Sequence, residues 1–393
     1  MLFGAAIFSA CLYLVGLFWL AAKRDALSAS GEGAKYLSWF TRHTGVIYGL
    51  SLAVYCTSWT FFGGVGTAAT SGLDYLPIYL GPILVFTLGF GLVRKILAQS
   101  KAQHSTSIAD FLSARYGKSA SVAALVTIIA TIGSLPYMAL QLQSVGTSLL
   151  TLSPEISNAV AADELVLMVA GLMALFAILF GSRRADHAGN NAGLVMTIAV
   201  EAVVKLIALI AVAALAIFLL LGEGESTSIA ASQPVFSGAQ IDARFFTLTL
   251  IAACAALCLP RQFHMTFVEA SDERVSPSMQ WVFPVYLLVT AAVIVPIVMA
   301  GLSVLPSGTN PDSIVLALPL AQEQYALAVL VFIGGFSASA GMIVIASVAL
   351  STMITNDLIA PVAFRQTLKS EGANETSDKR AQLATRQIGR AHV

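Results

Sequence analysis

Residues 53–72 read AVYCTSWTFFGGVGTAATSG. The flanks are apolar enough for a lipid core. The middle carries Cys56, Thr57 and Ser58, then Trp59, then glycines at Gly63, Gly64 and Gly66. A helix in a bilayer satisfies its own backbone groups, and irregular backbone persists there only where protein buries it or a cavity uses it. Two readings are open. The helix breaks at Gly63–Gly66 so that freed backbone groups meet a ligand, or the glycines let neighbouring helices pack closely.

The rest of the chain puts this stretch in a membrane. Of 393 residues, 57% are hydrophobic and 11% charged, less than half of the roughly 25% charge of a soluble domain. Net charge is zero, and nothing suggests a nucleic-acid partner; membrane lipid is the environment the composition implies. Cys11, Cys56, Cys254 and Cys258 all fall in apolar segments without metal-ligand spacing. The pair Cys254 and Cys258, one helical turn apart, reads as small packing residues. No catalytic constellation is legible, and this chain is not expected to be an enzyme.

Nine spans are predicted, at about 2–22, 45–70, 75–97, 120–150, 164–182, 190–222, 245–268, 279–303 and 323–362. With the N-terminus outside, the loops sort by charge. Of the 21 Lys and Arg residues, Arg244 alone falls in an outward loop and Lys205 alone deep within a span, with Arg94 and Lys95 at a span end counted inward. Arg261 is counted here with the inward loops. The excess of positive charge inside is the expected topology signal and puts the end of the ninth span on the cytoplasmic side. The first apolar run has its positive charge after it, which argues against a cleaved leader. Pro260 interrupts the seventh span, since proline removes a backbone hydrogen bond. Two discontinuous spans in one chain point to a transporter-type binding site.

Four segments, in order, resemble the sodium:solute symporter family: SWTFFGGVG (58–66), SIADFLSARYG (107–117), RQFHMTF (261–267) and STMITNDL (351–358). The resemblance implies an all-α, five-plus-five inverted-repeat fold, incomplete here. One extra N-terminal helix would precede core helices one to eight, with helices nine and ten missing. The wording of residues 55–82 and 349–361 is most similar to a subgroup fused to sensor histidine kinases of carbon and nitrogen catabolism. That implies a solute-recognising input module for an amino-acid-like solute such as histidine. A cognate response regulator would be reached only through the missing kinase half, so the native full-length protein would be a phosphoryl transferase. The alternative is a stand-alone sodium- or proton-coupled solute symporter. Residues 1–364 then form the transmembrane domain and 365–386 a cytoplasmic loop. Residues 387–393, QIGRAHV, match the translation of a sequencing adapter and read as read-through.

The resemblance also assigns roles. The carbonyls of Ala53 and Cys56 fall where the family holds sodium, while Ser58, Trp59, Thr60 and Gly63 would face the substrate. The adjacent hydroxyl residues of sodium-coupled members align with Gly341 and Met342 here, beside Ala338. A thioether is a poor ligand for a hard cation. Ser337 and Ser339 lie off register, Tyr55 replaces a polar Asp or Asn, and only a helix bulge would restore a sodium site. Asp186 matches a family Asp at the inner mouth of its helix. It lies about 28 Å along the helix from Lys205, too far to share one ion site.

Other candidates come from the residues themselves. Glu201 and Lys205 are four apart within a span and so share a helix face. Intramembrane charges default to a functional hypothesis: a proton- or substrate-linked switch with Lys205 as a fixed cation, or a neutralising pair that holds the helix in its bundle. Tyr137, Gln141 and Gln143 line a cavity or bond between helices. Gln262 and His264 read as an inner gate or helix cap, because no second His or Cys accompanies them as a metal ligand.

Overall fold

The computed structural model describes residues 2–30, 43–153, 155, 162–182, 192–223, 241–270 and 277–363, and every structural statement concerns these. Asp186 and residues 365–386 and 387–393 lie outside them. The described chain is all-helical. Five helices are long and apolar enough to cross a bilayer alone: α1 (Leu2–Ser30), α7 (Ala120–Leu152), α9 (Ala192–Glu223), α12 (Pro277–Val304) and α14 (Tyr325–Ala363). Three sharply bent pairs bring the number to eight: α2 and α3 (Thr44–Tyr55, Trp59–Tyr75), α4 and α5 (Pro77–Thr87, Phe90–Ala102), and α10 and α11 (Ala243–Cys258, Pro260–Val268). At the place of the remaining predicted span stands α8 (Ala162–Ser182), with a shorter apolar stretch at Glu164–Leu179. Two small helices, α6 (Ile108–Ala114) and α13 (Pro311–Ala321), complete the set.

The bends have local causes. Between α2 and α3 the axis turns by 78°, at Cys56–Ser58 and not at Gly63–Gly66. Leu52–Tyr55 tightens into a 3₁₀ turn, and Cys56 then goes extended at φ −76° and ψ 105°. The glycines lie beyond the break, in continuous helix, and serve close approach. A Cβ on Gly63 would sit 3.0 Å from the Trp59 ring one turn earlier, and one on Gly66 would strike Asp312 of α13. In α10 and α11 the 53° bend falls at Leu259, extended at ψ 131°, with Pro260 opening α11. Proline suits that first position because its missing N–H has no helical partner there. The bend of 71° between α4 and α5 was not foreseen. Gly89 N reaches back five residues to Leu84 O at 2.9 Å, and the helix restarts on Gly89 O.

Lipid is as apolar as leucine, so membrane helices are held by close packing and polar contacts. Helix α14 is the centre of the bundle: 83% of its most apolar 18-residue window is buried, against 11% for α7. It packs on α9, α7 and α1. Its small residues admit neighbours, and a Cβ on Gly335 would lie 2.3 Å from the Phe62 ring of α3. The segment SIAD is a helix start: Asp110 N bonds Ser107 Oγ at 3.0 Å and Thr106 N bonds Asp110 Oδ2 at 3.1 Å, a reciprocal cap.

Candidate functional site

Both breaks in α2–α3 and α10–α11 open into the middle of the bundle. At the first, the interrupted helix leaves carbonyls at the C-terminal end of α2, which carries partial negative charge. Lys205 of α9 reaches them, its Nζ donating to Cys56 O at 3.0 Å and to Ala53 O at 3.4 Å. Glu201, one turn earlier on α9, turns to α14 instead. A Cβ on Gly341 would lie 1.9 Å from Glu201 Oε2, so only glycine leaves room for the carboxylate. Glu201 Oε2 has no hydrogen-bond partner, and among the described residues no ion pair joins it to Lys205 within 4 Å. The two charges are neighbours on one face but stand on different walls.

This arrangement bears on sodium. The two backbone oxygens that the resemblance assigns to it already accept from an ammonium. On α14, Gly341 and Ala338 offer no side-chain oxygen and Met342 only sulfur. Ser337 Oγ is 2.7 Å from Tyr13 Oη of α1, and Ser339 Oγ bonds Gly335 O. The residues present therefore do not fit a sodium ion here. Among the described residues no cluster of three or more His, Cys, Asp or Glu side chains suits another metal.

The N-terminal end of α3 is held by α7. Ser58 N and Oγ both donate to Gln141 Oε1, at 3.0 and 2.7 Å, and Thr57 Oγ1 is 2.8 Å from Tyr137 Oη. Gln141 Nε2 donates to Tyr137 O. Tyr137 and Gln141 thus brace the break while also lining cavities. The Thr60 hydroxyl bonds Thr57 O at 2.7 Å, and Thr60 lines neither cavity.

Two cavities meet at Trp59. One, of about 360 Å³, is polar and is lined by Ser58, Gly63, Gln141, Gln143, Asn310 and Asp312 among others. The second, of about 520 Å³, lies between α3, α7 and α10. Tyr55, Trp59, Tyr137 and Arg261 line it together with an apolar flank from α10, and Asp74 and Arg244 contribute as well, paired at 3.6 Å. Arg261, assigned to a loop in the sequence reading, lies inside the bundle and is 5% exposed. Its guanidinium carbon is 4.8 Å from the centre of the Tyr137 ring. The signal for it was available: an arginine directly after the proline that interrupts a span.

Gln262 and His264 sit on α11 beyond the second break. Gln262 Nε2 donates to Leu52 O at 3.3 Å, tying α11 to the end of α2. His264 Nε2 is 3.1 Å from Glu269 Oε1.

No protein-family model matches the chain, and no characterised protein matches it by sequence. Among solved structures, a sodium-coupled sialic acid symporter captured in a substrate-bound, outward-open state superposes with a TM-score of 0.64. The two are 16% identical, and the match covers 91% of this chain and 75% of that one. At this identity the likeness shows the fold: a multi-pass, all-α membrane protein with the architecture of a sodium-coupled symporter.

Proposed function

We propose that the chain is a secondary transporter for a small solute, of the symporter fold, that works without sodium and uses Lys205 as its built-in cation. The single observation behind this is the ammonium of Lys205 on the carbonyls of Cys56 and Ala53. The end at which Asp74 and Arg244 pair faces outward in this reading, and the solute occupies the cavity beside Trp59. Loss of a proton from Lys205 would remove the charge from both carbonyl bonds, weaken them and loosen α9 from the first break, so proton movement is the natural coupling. An amino acid such as histidine is the substrate that the sequence resemblance favours.

The test is uptake of labelled histidine and a panel of amino acids into proteoliposomes, with sodium or choline outside and with or without an inward proton gradient. Uptake should be indifferent to sodium, driven by the proton gradient, and lost in Lys205→Ala. Stimulation by sodium would overturn the reading. The input-module reading, with a histidine kinase beyond this chain, rests on the wording of residues 55–82 and 349–361, and the fold favours the stand-alone transporter over it. A kinase reading frame continuing in the same gene would restore it.

A further inference from the structure

Arg261, whose side-chain hydrogen bond is to Tyr137, is a buried cation that no carboxylate neutralises among the described residues. It is 5% exposed, and its Nε has no hydrogen-bond partner. It is the one buried Lys or Arg nitrogen among the described residues left without an acceptor. Removing a charge from water without a partner is costly, and in a bilayer such a group marks a substrate or ion pathway. The group borders the 520 Å³ cavity rather than packed protein. Its position is fixed at both ends, since Pro260 and the extended Leu259 set its backbone and the Tyr137 ring covers one face of the guanidinium. Nε itself is shielded from the cavity, so a solute would reach the guanidinium through its terminal nitrogens. A guanidinium edge matches the two oxygens of a carboxylate in a bidentate pair, which an ammonium cannot reproduce. Beyond the charge, the cavity offers the rings of Tyr55 and Trp59, and then Leu248 and Ile251.

We infer that Arg261 is the carboxylate anchor of the solute site, and that the solute is a carboxylate with an aromatic or apolar body. This rests on the transport reading above and names the substrate class for the same cavity. The solute's carboxylate meets the terminal nitrogens of Arg261, and its body lies among Tyr55, Trp59 and the α10 flank.

The experiment is thermal unfolding of the full chain in lipid nanodiscs with histidine, proline, phenylalanine and benzoate, each paired with its carboxamide, and with chloride as a plain anion. At least one acid should raise the unfolding temperature while its amide and chloride do not. Arg261→Gln should weaken that acid about 100-fold or more, and Arg261→Lys should recover part of the loss without restoring the full preference. Equal shifts by acid and amide, equal shifts by chloride, no shift by any acid, or undiminished binding in Arg261→Gln would each overturn the inference. The acid–amide contrast is read on the unaltered chain, so it stands even if a variant does not fold. An acid-specific shift that requires sodium would sink the sodium-free transport reading and leave the anchor intact. Sodium-free uptake of an amide would do the reverse.

Discussion

Lys205 and Arg261 are both more than nine-tenths buried, and each stands at a helix break. Around Lys205 the protein supplies what a cation needs: two carbonyls from the first break, and a carboxylate one turn away on its own helix. Around Arg261 the described residues supply the ring and a hydrogen bond of Tyr137, and a cavity, but no carboxylate. The first charge is met by groups of the chain itself, while the second, on the inference above, is met by the solute. The two helix breaks then divide the labour, one closed by the protein's own ammonium and the other left for a ligand.

The contrast can be broken in the order of the effects expected. Lys205→Met should be the most damaging change, about 3–5 kcal/mol in stability, because it strips the two buried carbonyls of α2 of their charged donor and removes the cation nearest Glu201. Adding Glu201→Gln should recover part of that stability but not transport, since the two carbonyls stay without a donor. Denaturation of the single and double variants in nanodiscs measures both, and an undisturbed Lys205→Met would abolish the distinction drawn here. Gly341→Ala comes next, at about 1–3 kcal/mol, because its methyl would occupy the position of Glu201 Oε2. If the same assay shows no loss, Glu201 is free to turn elsewhere.

Arg261→Met should differ in sign. Without ligand it should be neutral or up to about 1 kcal/mol more stable, since it removes a buried charge that no carboxylate pairs at the expense of the ring contact and hydrogen bond of Tyr137. A loss above about 2 kcal/mol would reveal a further partner within the protein and make the two breaks alike. The smallest effect belongs to Asp312, whose carboxyl is pushed up from its ordinary value by partial burial. Its folded-state pKa lies above its unfolded one, so its contribution is present in acid and fades as pH rises through the folded value. Asp312→Asn should flatten the stability profile from about pH 4 upward, and a profile unchanged by the substitution would remove Asp312 from the account.

Much of the fold was legible because lipid makes strict demands. Long apolar runs marked the order of the spans, and Pro260 gave the second break to within a residue. The first break was misplaced by several residues. Glycine is a visible marker, but here it records close approach to Trp59 and Asp312, while the backbone opens at Cys56, whose side chain says nothing about conformation. Lys205 and Glu201 were recognisable as a pair by their spacing. Their separate destinations depend on α2 and α14, more than a hundred residues away in either direction, and no local pattern carries that. Arg261 was missed for a simpler reason: near the end of a span, an arginine looks like a loop residue snorkelling to the surface. Its burial follows from the 53° bend that turns α11 into the bundle.

The cysteines offer a practical use of the first break. Cys11, Cys254 and Cys258 are exposed on faces that the bilayer covers, and Cys56 alone is buried within the bundle. A membrane-impermeant alkylating reagent in water therefore meets one thiol, and only when the protein opens around it. Because the carbonyl of that same residue receives the Lys205 bond, the labelling rate becomes a clock for the bond's release. The unmodified chain is thus its own reporter, ready for timing the cycle without an engineered probe.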